Sequence, residues 1–358
     1  MKREILFCAV LGVSMITLPC IGLGAGFAVQ TGSYSADETS QSSEREVSET
    51  ASETSSAAEE ASEAETEETE EYDCFKILDT STGEVITVGD REFCYGAVAA
   101  EMPITFETEA LKAQCVACYT YFCMEREQSR ENPDDELKGA DFEADLSSGQ
   151  YYLSCEALEE KWGDMYDTYF EKLQTAVDEV FGEVLTYEGE LIVCAYHAIS
   201  SGATEACADV FAADLPYLTS VASPYDCNAP GYKTKAVFTA EELKELFLAY
   251  DSDINFSDDP GTWLEIVSCT SSGTVTEITV GDASLTGQEV RTALSLRSAV
   301  FEVTYSDEEG FVFTVLGYGH GVGMSQYGAE YMAQQGSDYQ EILTHYFTGC
   351  MIEEYSQS

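Results

Sequence analysis

Just past residue 72 the chain settles into an alternation of apolar and polar positions. Residues 75–78 and 85–88 flank Ser81-Thr82-Gly83, which predicts a β-hairpin. The period lengthens to a helical one over 91–100 and stops at Met102-Pro103, because proline disfavours helical geometry in the residue before it. A longer helix is expected from an N-cap at Thr108, with Glu109 in its first turn, to about residue 128, burying Leu111, Val116 and Phe122. Residues 129–151 are polar and read as a loop or insertion, 156–181 as one or two helices, and 184–197 as a strand pair around Glu188-Gly189. The stretch 200–230 is long and irregular, as functional or disordered loops are. Beyond it the pattern predicts a helix over 241–250, a strand–turn–strand over 263–280 around Ser272-Gly273, a helix over 288–293, and strands over 299–305 and 311–315. A glycine-rich block and two closing helices follow. No internal repeat occurs, and strands mix with helices without strict βαβ alternation. The expected fold is α+β, hairpins and helices around a cleft, with 72–358 as one domain.

The N-terminal part follows another pattern. Lys2 and Arg3 precede an uncharged run over 5–29. About 20 apolar residues span a bilayer, against about 7–15 in the apolar part of a signal peptide. The run is therefore long enough for a transmembrane helix, with residues 1–4 cytoplasmic and the remainder outside the membrane. Ala25-Gly26 would suit a cleaved signal instead, and both readings stay open. Residues 30–71 read as a disordered acidic linker: from Ser35 to Glu71 there are 14 acids and one base, and no aromatic residue, Leu, Ile or Gly. Such a tether spans about 35 Å as a flexible coil.

Charge narrows the function classes. Asp and Glu number 67 against 16 Lys and Arg, a net charge of −51, and residues 72–358 alone carry 52 acids and 13 bases. This argues against a nucleic-acid partner and against a basic patch docking on anionic lipid. Of 13 cysteines, 11 lie outside the 5–29 run, an odd number without regular spacing. Cys115, Cys118 and Cys123 share one predicted helix and read as small buried hydrophobes rather than metal ligands.

Two segments carry candidate chemistry. Glu101 ends one predicted helix, and Lys112 and Gln114 open the next, so the intervening turn brings a carboxylate near a cation and an amide. A carboxyl held in a partly apolar cleft can protonate a glycosidic oxygen; an exposed glutamate at a helix end fits the same letters. The second segment is Gly317-Tyr318-Gly319-His320-Gly321-Val322-Gly323-Met324-Ser325-Gln326-Tyr327-Gly328. Its glycines permit close backbone approach, with His320, Ser325, Gln326 and Tyr327 as polar groups, and a tight structural turn is the plain alternative. No Lys-Ser/Thr ending follows, which argues against a nucleotide site. His197 closes a predicted strand ahead of Ser200, yet no Gly-x-Ser-x-Gly elbow marks a serine hydrolase. His197 and Cys207 together give only two of the roughly four ligands that zinc takes.

These segments resemble the stage II sporulation protein D family, whose domain is shared with amidase-enhancer proteins. The matching residues are Tyr95-Gly96-Ala97-Val98-Ala99-Ala100-Glu101-Met102-Pro103, Glu109-Ala110-Leu111-Lys112-Ala113-Gln114, and Tyr196-His197 with the stretch from Ser200 to Asp209. Pro216-Tyr217, Val290-Arg291, Leu296-Arg297-Ser298, the block from Gly319 to Ala329, and Glu341 to His345 complete the match, which spans about 75–353.

The resemblance implies a peptidoglycan lytic transglycosylase acting on peptide-stripped glycan strands during engulfment in sporulation. An acid protonates the glycosidic oxygen, and the 6-hydroxyl of the same muramyl sugar closes a 1,6-anhydro ring. Because ring closure is intramolecular, one carboxyl can serve as acid and then base, without the second carboxylate of ordinary glycosidases. The resemblance puts that acid at Glu101. It puts Lys112, Gln114, Tyr119, His197, Ser200, Thr204, Tyr217, His320, Ser325, Gln326 and Tyr327 along the glycan. Tyr119 stands where the family usually has Arg, and Thr219 where it usually has Lys; both changes remove a cation that lactyl carboxylates would meet. Some relatives carry zinc in the loop after the strand-end histidine, but here no full ligand set is seen and no metal or cofactor is expected. The implied partners are the glycan strands, a cell-wall amidase and the membrane, with the domain extracytoplasmic. The alternative is a non-catalytic glycan-binding module that recruits or stimulates an amidase.

Overall fold

The computed structural model describes residues 74–355 except 212. The expected anchor or signal and the acidic linker lie outside these residues. Among the described residues no helix is long and apolar enough to cross a membrane.

The expected hairpin forms: β1 (Cys74–Asp79) pairs antiparallel with β2 (Val85–Gly89), Phe75 opposite Val88. Helix α1 (Asp90–Glu101) follows at once and stops where Met102 turns extended ahead of Pro103. Helix α2 (Thr108–Glu131) has Glu107 at its N-cap position, one residue earlier than expected and without a side-chain capping bond, and it continues past residue 128. Its buried residues surround the axis, as in a helix enclosed on all sides rather than one laid on a surface. Cys115, Cys118 and Cys123 are among them, as expected of small apolar side chains, and every cysteine among the described residues is a free thiol.

Residues 129–151 are less loop-like than their polarity predicts. β3 (Phe142–Ala144) joins β1 in parallel, and Phe142 and Tyr151 are buried in the main core. A few large apolar side chains outweigh many exposed polar ones in fixing such a segment. Then come α3 (Cys155–Trp162), α4 (Tyr166–Asp178), the strand pair β4 (Glu183–Tyr187) and β5 (Glu190–Leu191), β6 (Tyr196–His197) and the short α5 (Cys207–Val210).

A second core holds β7 (Lys233–Phe238), α6 (Ala240–Tyr250), β8 (Leu264–Cys269), β9 (Val275–Val280), β10 (Ala283–Leu285), α7 (Gly287–Leu294), β11 (Phe301–Ser306) and β12 (Gly310–Leu316). Its sheets run β10-β9-β8 and β11-β12-β7. Thr239 and Thr286 each form a capping box with the glutamate three residues on, worth about 1 kcal/mol per cap.

The chain then returns to the first core. β13 (Met324–Ser325) pairs in parallel with β6, α8 (Gln326–Gln334) and α9 (Tyr339–Tyr346) pack on α2, and β14 (Met351–Glu354) adds to β4. The mixed α+β character is as the pattern predicted.

Candidate active site

Glu101 is the last residue of α1 and is 8% exposed. Its backbone carbonyl accepts a hydrogen bond from Gln326 Nε2 at 3.0 Å, and the same amide donates to Gln114 Oε1 at 3.2 Å. Gln114 Nε2 donates in turn to Cys118 Sγ at 3.1 Å, and Cys118 reaches the Tyr196 hydroxyl at 3.5 Å. One buried chain of polar groups thus ties the end of α1 to α2, α8 and β6.

The Glu101 carboxyl itself is left bare. Its Oε1 is buried and has no hydrogen-bond partner. Burial pushes its titration from the usual 4.5 up to about 7, against a downward pull from Lys161. The C-terminal end of a helix, where the macrodipole is negative, also disfavours a carboxylate. Lys161 arrives from α3 and donates to the Ala99 carbonyl at 2.9 Å. Cys118, Tyr151 and Tyr196 all feel the Glu101 charge; burial first and that charge second push the Cys118 thiol up to about 12. A carboxyl that is half protonated near neutral pH can give up a proton and take one back.

The glycine-rich block runs along the segment from Ala195 to Glu205. Tyr318 bridges Ile199, Val322 bridges Glu205, and Ser325 pairs with His197. Gly323 shows why these letters are needed: its φ is +71°, and a Cβ there would lie 2.0 Å from the Ala195 carbonyl oxygen. The close approach seats the His197 and His320 rings 5.7 Å apart. His197 Nδ1 donates to the Val322 carbonyl at 3.1 Å, while His320 Nδ1 accepts from the Val322 amide at 3.1 Å. Burial pushes His197 down to about 4 and His320 down as well, so both rings are neutral at pH 7.

Asp226, fully buried, gathers the serines. It accepts from the Ser200 amide at 2.7 Å, the Ser325 hydroxyl at 2.7 Å and the Ser223 hydroxyl at 3.0 Å. Ser325 also caps α8 through the Gly328 amide. With the Ser223 and Ser325 hydroxyls spent on Asp226, the Ser200 hydroxyl accepting from the Gly202 amide and His197 bonded to a backbone carbonyl, no Ser–His–Asp relay forms among these groups. No group of three His, Cys, Asp or Glu side chains among the described residues could hold a metal ion.

The family model described as stage II sporulation protein matches residues 79–187, which include Glu101 and Gln114. Stage II sporulation protein D of Bacillus subtilis (strain 168) is 34% identical over 277 residues, 77% of each chain. The same-named protein of Bacillus amyloliquefaciens is 34% identical over 276 residues, again 77% of each. The chain belongs to the stage II sporulation protein D family. An amidase enhancer of Bacillus subtilis (strain 168) is 25% identical over 307 residues, 73% of this chain and 40% of the enhancer.

The expected site residues of this family member fall into separate neighbourhoods. Glu101, Gln114 and Gln326 form one bonded cluster, Ser200 and Ser325 share Asp226, and His197 faces His320. Tyr327 packs edge-on against Phe106 at 5.0 Å, just beyond Glu101 in the chain. Lys112 is held between Glu109 and Glu179, each at 2.6 Å. The Thr204 hydroxyl accepts from the Val221 amide at 2.9 Å, and that of Tyr217 from the Val193 amide at 3.1 Å. Tyr119 stands apart. It is buried, and its hydroxyl donates to Asp90 at 2.9 Å, at the other end of α1 and roughly 16 Å along the axis from Glu101. The reading of the residues passed over Lys161, Tyr151, Cys118 and Asp226 as neighbours of the site. They reach it from four separate segments, and no local spacing in the sequence joins them.

Proposed function

We propose that this chain is a lytic transglycosylase of the bacterial cell wall that cleaves peptide-stripped glycan strands to 1,6-anhydro-muramyl ends. The observation that carries the reading is the buried Glu101 carboxyl with an unpartnered oxygen and a titration near 7. The neutral acid protonates the bridging oxygen, and the resulting carboxylate then takes the proton from the 6-hydroxyl as the ring closes. The Gln326 and Gln114 amides hold the helix end in place. The setting is sporulation, with an amidase removing peptides first and the N-terminal run keeping the domain at the membrane.

Incubating amidase-treated wall with the protein should release anhydro-ended fragments by mass spectrometry. The rate should fall as pH rises through about 7 and the acid ionises. Glu101→Gln should lower it by about a thousandfold or more; equal cutting by this variant would refute the role of Glu101. The likeness to an amidase enhancer supports a second reading, in which the domain binds glycan and stimulates an amidase without cutting. Faster amidase turnover with no anhydro ends in either the parent or the variant would select it.

A further inference from the structure

Arg297 lies in the turn after α7, with its guanidinium 3.8 Å from the Tyr318 ring centroid. It is half-buried, and its Nε has no hydrogen-bond partner. Arg91, Arg126 and Arg130 each pair with an aspartate, and Lys112 with two glutamates. Arg297 makes no ion pair among the described residues, although acids outnumber bases severalfold in this domain. Arg291 makes none either, but it is 3% exposed and cannot meet an outside molecule.

An arginine partly removed from water without a carboxylate is costly, and its planar fork suits a carboxylate supplied by a ligand. Gly231, at φ +75°, lies close beside the guanidinium: a Cβ there would come within 3.4 Å of Nη2, so the absence of a side chain at this position leaves that edge of the arginine uncovered by one. The faces nearby are tyrosines. Burial lowers the Arg297 titration, against smaller upward pulls from Tyr318 and Tyr327, and Tyr327 and Tyr331 pack in the same cluster as Tyr318. Tyr225, 53% exposed, continues the strip 6.5 Å from Tyr331. Amphipathic rings of this kind present flat apolar faces to sugars and polar edges to water. The strip runs toward the end of α1, since Tyr327 touches Phe106 and its neighbour Gln326 bonds the Glu101 backbone carbonyl.

We propose that Arg297, stacked on Tyr318 beside Tyr327, is a subsite for a sugar-acid carboxylate of the glycan strand, with the tyrosine strip carrying the adjoining rings. This rests on the reading of the chain as acting on peptide-stripped glycan, because removal of a stem peptide converts each lactyl amide to a free carboxylate. Arg297 thereby reads whether the peptide has gone.

The test measures affinity by calorimetry on the full chain carrying Glu101→Gln, so that no strand is cut. The probes are an amidase-released glycan fragment, the same fragment with its carboxyl groups methyl-esterified, and a chitooligosaccharide of equal length. The free acid should bind about tenfold to a hundredfold more tightly than the ester. Arg297→Gln should abolish that preference and leave chitooligosaccharide binding unchanged, and Arg297→Lys should restore part of it. Equal binding of acid and ester, or a preference that survives Arg297→Gln, overturns the proposal. If Arg297→Gln does not fold, Arg297→Lys takes its place, and an acid preference that it leaves undiminished overturns the proposal. The parent protein's anhydro products are scored separately: an acid preference without cutting sinks the transglycosylase reading only, and cutting without an acid preference sinks the subsite only.

Discussion

Helix α1 has a buried carboxyl at each end, and its surroundings treat the two in opposite ways. At the start, Asp90 accepts from Arg126 at 2.7 and 2.9 Å and from the Tyr119 hydroxyl at 2.9 Å, and Arg126 in turn stacks on Phe75 at 4.3 Å. At the end, Glu101 keeps an oxygen that nothing bonds. One carboxyl is saturated and anchors the helix; the other is starved and holds its proton to an unusual pH. The difference is one of supplied donors rather than of burial, since the two residues are 6% and 8% exposed.

The contrast can be broken most forcefully at its saturated end. Asp90→Ala strands the Arg126 charge in the core and should cost about 3–5 kcal/mol in urea unfolding. A loss below about 1 kcal/mol would show that the ion pair does not anchor α1. The starved end should respond with the opposite sign. Between 4.5 and about 7 the unfolded chain ionises Glu101 while the fold keeps it protonated, so stability falls as pH rises through that window and levels off above it. Glu101→Gln should therefore be more stable than the parent above pH 7, by up to about 3 kcal/mol, and match it below pH 4.5. Thermal melts in which variant and parent stay level from pH 4.5 to above 7 would contradict this. The smallest effect belongs to Lys161, whose pull on Glu101 is downward. Lys161→Gln should move the Glu101 titration up, read from the carboxyl carbon by NMR. A downward move would remove Lys161 from the site.

The sequence disclosed these ends unequally. Pro103 stops α1, so the place of Glu101 at a helix terminus was legible, as were the hairpin before it and the helix after it. The glycine block was legible as a close approach, but not as a seam against the segment from Ala195 to Glu205, because that pairing joins distant parts of the chain. β7 escaped notice because Lys233 and Lys235 stand among its exposed positions, and β10 and β14 because they are short. Tyr119 was assigned to the glycan by its place in a motif. Which way a side chain leaves an enclosed helix depends on its neighbours, and Asp90, Phe181 and Tyr355 surround this one.

The pairing of β6 with β13 has an entropic corollary. His197 and Met324 are far apart along the chain, and drawing such a long free loop shut is costly. The second core shortens the journey. Lys233 stands opposite Leu316 in its sheet, so once that sheet exists the two ends of the intervening chain already lie side by side. Only the stretches 198–232 and 317–323 remain as slack, which trims the closure penalty by about 1 kcal/mol. A region with no catalytic group of its own thus acts as a clasp that brings the two histidines within reach of each other.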